Sequence, residues 1–512
     1  MIARRTFLKL ATTMASALPA WLASPLIAHA QVPIRRYDAN SQTPAAQAAL
    51  RLFRDGVSRL KARKPHDPTG WIWQANMHGW PGQFGANPSG EFARVFPTQM
   101  AGIPIVERQR LLDLARLTWG KCPHGPPQFL PWHRVYVYCF ERILQTAVND
   151  QSAGIPYWNW TRDRTLPVAF REPVAGDQAR NALYFSPRNP GVSGNAKGEM
   201  PASIFSAEVD VANMLSNPAL DVRIKAESGA LRGFGQMLEG GPHGNVHVFV
   251  GDDRGMGFFE SAARDPVFWA HHANIDRLWE SWSRVPGHAM PAEAAGWLAD
   301  KHTFIAPDGQ AQTLTTGQVL IASTILGGGY EYEELEPSLA LVAMPAASIG
   351  PASAAAPASG RVAATAGKVT LSNAPTAVTL VGSVPSVGVG AASAGTARYQ
   401  LVLNDLSTRK SPRDNFGVYL NAPQGATLTQ DSPHFVGTFN FFTASRPAAP
   451  GVSGAQHSQH EPTPLDATET VRRLQQAGLW TGGEVSVTIA PIRGNVDPAA
   501  RPTVGSIELI RN

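Results

Sequence analysis

Two histidines four residues apart, His243-Gly-Asn-Val-His247, are the first residues in this 512-residue chain whose types and spacing suggest chemistry. On a helix, positions four apart share one face, so both imidazoles can reach one metal ion. Such a pair also arises by chance and is a weak signal alone. The zinc hydrolase signature places Glu directly after the first His as general base. Here that position is Gly244, so a zinc hydrolase would lack its base. Two more clusters carry histidines. Cys122-Pro-His124-Gly-Pro-Pro-Gln-Phe-Leu-Pro-Trp-His133-Arg134 places His124 in a loop and His133 at the head of an apolar helical run. Asp265-Pro-Val-Phe-Trp-Ala-His271-His272-Ala-Asn-Ile-Asp276 opens another helix. A buried imidazole needs a hydrogen bond or a metal to offset its desolvation. A hydrogen-bonded core position explains any one of them; three clusters together point to a shared metal centre.

The elements that must position these residues are legible from apolar periodicity. Leu50, Phe53, Val57 and Leu60 predict a helix over 45–61, and 106–119 reads as a second amphipathic helix. Residues 133–148 are apolar nearly all round, which predicts a central, buried helix. A fourth helix is predicted from Phe268 to Ser283, with Ile275, Leu278, Trp279 and Trp282 turned inward. The long Gly- and Pro-rich connections between them are of the kind that shape a site. After Tyr332 the texture changes. Residues 337–367 are rich in Ala, Pro, Ser and Gly and read as a linker. Beyond it, short β-type runs at 378–381, 399–403, 416–420, 485–489 and 507–510 predict a small β domain over 368–512. No internal repeat is evident.

Length alone favours two domains. The N-terminus reads Ala3-Arg4-Arg5-Thr6-Phe7-Leu8-Lys9, then an apolar stretch ending at Ala28-His29-Ala30. This predicts a twin-arginine export signal over 1–30 and a mature chain, periplasmic or secreted, from Gln31. The net charge of +5 includes Arg4, Arg5 and Lys9; without that acid-free segment 41 basic residues face 39 acidic ones. Neither a nucleic-acid footprint nor a membrane-holding basic tract is expected, and no later run is apolar enough to span a bilayer. Cys122 and Cys139 are the only cysteines, too few for a disulfide framework.

The His124–Arg134 and Asp265–Asp276 motifs resemble the paired copper signatures of tyrosinases, plant polyphenol oxidases and hemocyanins. Gln74-Ala-Asn-Met-His78, Ile155-Pro-Tyr-Trp-Asn-Trp160 and Gly329-Tyr-Glu-Tyr332 also match the family. Phe416-Gly-Val-Tyr-Leu-Asn421 and His434-Phe-Val-Gly-Thr-Phe439 are similar to pieces of the C-terminal domain of plant polyphenol oxidases, so the resemblance spans nearly the whole mature chain. It implies two coppers, one held by His78, His124 and His133, the other by His243, His247 and His272. His271 is then a neighbour of the ligands. Imidazole suits an ion that cycles between Cu(I) and Cu(II), and three per ion leave space for dioxygen. Each ligand should engage an outer acceptor through its second nitrogen, with Asn274 and Asp276 as candidates near His272. Arg134 and Glu141, seven apart, read as buried structural partners.

The resemblance assigns further roles. Cys122, two residues before His124, matches a Cys-x-His that in fungal relatives forms a thioether to the ligand. Glu239 matches a glutamate holding a water near the site, a general-base position. Phe259 aligns with an aromatic gate, although Phe258 and Phe259 also fit a core. Many monophenol hydroxylases carry Asn directly after the first ligand of the second copper; here Gly244 stands there and Asn245 follows. The expected reaction is therefore oxidation of o-diphenols to o-quinones with dioxygen reduced to water, with hydroxylation of monophenols or o-aminophenol oxidation as variants. The expected fold is a mainly α, four-helix bundle enclosing the dicopper centre with long irregular loops (31–336), then a smaller β-sandwich-like domain. By resemblance, that domain shields the site, with Phe439, Phe441 and Phe442 as a plug or as β core. A hemocyanin-like dioxygen carrier and a zinc hydrolase are the rival readings; small phenols are the expected partners, and oligomeric state is not legible.

Overall fold

The computed structural model describes residues 34–511 except 84–88, 98–99, 101, 124–126, 172–180, 193–197, 205–213, 216, 218–219, 221–232, 289–293, 337–359, 385–396 and 446–461. The export segment and the N-terminal 23 residues of the predicted linker lie outside these.

The first part of the chain is a helical core. We name its helices α1 (Pro44–Ala62), α2 (Trp71–His78), α3 (Ile105–Thr118), α4 (Phe129–Val148), α5 (Gly244–Val250) and α6 (Val267–Ser283). Thr43 caps α1, its hydroxyl accepting from Ala46 N at 3.3 Å, and Pro44 sits in the first turn, where no N–H is needed. Helix α4 begins one turn earlier than apolar periodicity predicts, at Phe129. Pro131 is tolerated there for the same reason. Asn149, left-handed at φ 57°, closes the helix.

Helix α4 is the axis of this core and packs against α1 and α6. The approach to α1 is close: a β-carbon at Gly56 would lie 2.5 Å from Leu144 Cγ. On the other flank Phe140 stacks on Trp269 at 3.6 Å and 13°. Helix α3 does not join this group. It packs on strand Lys301–Ile305 and leaves Ile105 and Val106 exposed. The places nearest the site belong to α2 and α5, two short helices whose periodicity is too brief to read from sequence.

Helices α4 and α6 are tied together by buried charges. Strand β1 (Ile34–Arg36) pairs in parallel with β2 (Tyr330–Tyr332), which brings Arg36 beneath the helices. Arg36 binds Glu141 through Nε and Nη2 at 2.9 and 3.0 Å and reaches Asp276 at 3.4 Å. Asp276 also receives Arg134 Nε and the hydroxyls of Tyr330 and Tyr332, each at 2.5 Å. Arg134 and Glu141 are thus buried and structural, as expected, but each pairs with a distant residue.

The second part is built on one sheet. Its strands are β3 (Gly360–Ala364), β4 (Thr376–Val384), β5 (Tyr399–Asn404), β6 (Phe416–Leu420), β7 (Phe435–Phe439), β8 (Thr463–Asp466), β9 (Gly483–Pro491) and β10 (Ser506–Arg511). They run in the order β7-β6-β9-β4-β3-β10-β5-β8. The expected sandwich of two sheets is instead a single eight-stranded sheet, nearly closed like a barrel. Helix α7 (Thr468–Gln476), directly after edge strand β8, binds Phe435 O of the other edge through Thr470 Oγ1 at 2.7 Å and Arg473 Nη2 at 2.9 Å. Alternating strands fit either arrangement, because alternation specifies faces and not partners. Strand β3 lies inside the stretch expected to be linker.

The two parts meet face to face. Lys410 and Arg413 both approach Asp253 at 3.6 Å, and Arg493 lies 4.7 Å over the Phe249 ring.

Candidate metal centre

Five of the expected ligand histidines converge in the helical core. His78 ends α2, His133 stands in the second turn of α4, His243 and His247 flank the start of α5, and His272 lies on α6. All five are buried. The sixth, His124, is outside the described residues. The local fold around His243 is irregular because Gly241 is non-helical and Pro242 follows it. The chain makes one wide turn over Glu239–His243 before the α-helix resumes at Gly244.

The ring nitrogens are sorted by their surroundings. Nδ1 of His78 meets Phe259 O at 3.1 Å, Nδ1 of His133 meets Phe129 O at 2.7 Å, Nδ1 of His243 meets Glu239 O at 3.2 Å, and Nδ1 of His247 meets Met256 O at 2.9 Å. A carbonyl only accepts, so each of these Nδ1 atoms carries the proton. Each Nε2 then presents a lone pair, the tautomer a metal ligand requires. For these four rings the outer acceptors are backbone carbonyls; Asn274 and Asp276, expected to support His272, turn elsewhere. Asn274 accepts from Arg277 at 2.8 Å, and Asp276 faces away into the Arg36–Arg134 network.

The imidazoles form two interlocking groups whose donor atoms lie within 4.8 Å of one another. One is His78, His133 and His272; the other is His243, His247, His271 and His272. His272 belongs to both. Its ring stacks on His133 at 4.3 Å and 10°, its Nε2 faces His247 Nε2 at 3.3 Å, and its Nδ1 has no hydrogen-bond partner among the described residues. Burial first, then the neighbouring imidazoles, push His272 well below the ordinary histidine value, and burial pushes His271 down to about 3. Neutral imidazoles with converging lone pairs fit a soft-to-borderline cation such as copper. His271 is held as a neighbour, its Nδ1 accepting from Trp160 Nε1 at 3.1 Å.

The other expected residues are placed as follows. Cys122 is buried with Sγ 3.4 Å from His133 Nε2; its expected thioether partner is the undescribed His124. Burial pushes the other thiol, Cys139, up to about 12. Glu239 is buried and opens the wide turn. The Phe259 ring lies 4.7 Å from that of His78. Asn245 points into the contact between the two parts. Its Nδ2 donates to Ile204 O at 2.9 Å and Thr438 Oγ1 at 3.2 Å.

Of the three phenylalanines, Phe439 and Phe441 pack in the β core around Phe416. Phe442 leaves it. It lies fully buried among the helical core residues, its ring stacked on His247 at 3.9 Å and 11° and 6.4 Å from Phe259. The sequence showed three phenylalanines but not which one leaves the sheet: the strand ends at Phe439, and the chain turns after it.

Residues 68–285 match the family model of the common central domain of tyrosinase, and 352–512 match a domain of unknown function. The chain is 26% identical over 497 residues to a tyrosinase of Hahella sp. (strain CCB-MM4), covering 90% of this chain and 96% of that protein. It is 29% identical over 321 residues to (+)-larreatricin hydroxylase of Larrea tridentata, covering 57% of this chain and 49%, about half, of the plant protein. Its fold is similar to that of a latent aurone synthase (polyphenol oxidase), with TM-score 0.56 at 20% identity over 94% of this chain and 90% of the other.

Proposed function

Because the chain belongs to the type-3 copper tyrosinase and polyphenol oxidase family, we propose that this phenol oxidase converts two o-diphenols to two o-quinones while one dioxygen is reduced to two waters. The observation that carries the reading is the pair of buried imidazole groups joined at His272, with four Nδ1 protons fixed on backbone carbonyls. His78, His124 and His133 would hold one copper and His243, His247 and His272 the other. A bound copper pair supplies transfer of the diphenol's electrons to dioxygen. The protein's own contributions are distinct. The carbonyls of Phe259, Phe129, Glu239 and Met256 hold the rings in one tautomer. Phe259 walls the site with an apolar face against which a phenol ring packs. Glu239, at the start of the turn that carries His243, is the carboxylate we assign to accept the phenolic proton. Gly244 leaves the position after His243 without a side chain, which disfavours monophenol hydroxylation.

We propose further that the β domain keeps the site covered. Phe442 occupies the face of His247 where a substrate ring would stack. Export by the twin-arginine route, read from residues 3–30, is part of the same proposal; replacing Arg4 and Arg5 with Lys should retain the protein in the cytoplasm. No helix among the described residues is long and apolar enough to cross a membrane.

The deciding experiment is oxygen uptake by copper-loaded protein offered 4-methylcatechol and p-cresol, with and without limited proteolysis. Uptake on the catechol, rising after proteolysis, supports both proposals. Equal rates on p-cresol would show that Gly244 does not restrict the substrate. Reversible dioxygen binding without turnover would replace the oxidase with a carrier.

A further inference from the structure

Gly244, next to His243, faces a side chain of the β domain. A β-carbon at Gly244 would lie 2.5 Å from Oδ1 and 2.6 Å from Nδ2 of Asn440, well inside van der Waals contact. Asn440 is buried against this backbone, and its amide is fully engaged. Nδ2 donates to Asn245 Oδ1 at 2.8 Å and to Gly240 O at 3.2 Å. Oδ1 accepts from the backbone N of Phe442 at 3.1 Å. The last bond fixes the residue whose ring stacks on His247. Around the same point Asn415 Nδ2 donates to Asn245 O at 3.1 Å.

We infer that Asn440 is the positioning residue that aims Phe442 at the histidine cluster, and that the bare backbone at Gly244 is required for that docking. This rests on the reading that the β domain covers the site. The argument is steric and then cooperative. The amide lies across the turn from Gly240 to Asn245 only because position 244 has no side chain. Any β-carbon there must push Asn440 out. Asn440 cannot move without releasing its bonds to Gly240 and Asn245, and with them the tie to Phe442. Position 244 is thus read from two sides, by the substrate entering the site and by the domain closing it. A side chain at 244 and Asn440 in its present position exclude one another.

The test is oxygen uptake with 4-methylcatechol by intact, copper-loaded full-length protein, without proteolysis. The variants are Gly244→Ala, Asn440→Gly, their double and Phe442→Ala. Amide hydrogen exchange over 438–442 and over 267–283 is the second readout. Gly244→Ala and Asn440→Gly should each raise kcat/KM of the intact chain by about tenfold, because the open population grows as hydrogen bonds of the closed one are lost. Exchange over 438–442 should quicken while 267–283 stays protected, which shows that the helical core remains folded. The double should be no more active than Asn440→Gly, because both changes remove one contact. If Phe442→Ala raises uptake but Asn440→Gly leaves both uptake and exchange unchanged, the positioning role is overturned and the cover stands. If Phe442→Ala changes nothing, the cover itself is wrong and this inference falls with it.

Discussion

Arg36 and Glu141 meet through two parallel hydrogen bonds of 2.9 and 3.0 Å with neither side chain exposed. One lies on the first described strand, the other near the middle of the central helix. Burial pulls the Arg36 guanidinium down, but Glu141 and the flanking tyrosines outweigh it and hold it well above the ordinary arginine value. Replacing Arg36 with Met leaves two buried carboxylates, Glu141 and Asp276, short of a cation. The expected loss is about 3–5 kcal/mol, the cost of breaking a buried pair from one side, read as a lower denaturant midpoint at neutral pH. A loss under about 1 kcal/mol, the range of an exposed pair, would contradict the burial assigned to it.

Asp276 gives the same network a pH signature. Burial would raise its carboxyl, but Arg134 and Arg36 outweigh burial and, with the hydroxyls of Tyr330 and Tyr332, hold it below the ordinary value. A depressed folded pKa stabilises the fold above the unfolded value, about 3.9 for Asp, and that stability is lost as pH falls through the folded one. The stability gap between wild type and Asp276→Asn should be constant near neutrality and shrink below about pH 4. Denaturant melts from pH 7 to pH 2 test this; a gap that widens on acidification has the wrong sign.

His272 is shared by both imidazole groups. His272→Ala removes a ligand of one ion and the ring that stacks on His133 beside the other, so it should lower copper content further than His78→Ala, which should spare the ion held by His243, His247 and His272. Metal analysis after dialysis separates the outcomes. Equal copper contents in the two variants would mean that the groups do not interlock.

Gly56 and Leu144 report how tightly α1 approaches α4. Gly56→Val places carbons where Leu144 already stands and should cost about 1–3 kcal/mol by overpacking. Leu144→Ala alone should cost about 2–5 kcal/mol through the cavity it leaves. Combined, the changes should compensate by more than about 0.5 kcal/mol relative to their sum, as neighbours do. Simple additivity in a double-mutant cycle would place the helices further apart.

How far the sequence reached depends on the range of the interaction. The spans of α1, α3, α4 and α6 were legible to within a few residues, because an apolar stripe repeats over three turns or more. The histidine clusters on α4 and α6 were legible from residue type and spacing, and their roles as ligands from the resemblance. Helix α2 was not, since eight residues whose large apolar side chains are Trp71, Ile72, Trp73 and Met77 show no face, and His78 was found by resemblance alone. Asn274 and Asp276 were misread as supports for His272. Proximity along a helix is visible in sequence, whereas Arg36, which claims Asp276, is 240 positions away. The carbonyls that do support the rings belong to residues of any type and leave no compositional trace.

The pairing of β1 with β2 also sets an order of events during synthesis. Ile34 registers with Tyr330, so the strand that carries Arg36 has no partner until nearly 300 further residues have been made. At about 5–20 residues per second that interval is on the order of 15 to 60 s. Throughout it the cation at Arg36 stays in water, and α4 lacks the counter-ion for Glu141. The helical core is therefore completed by its first and last segments closing together after the ribosome has passed both.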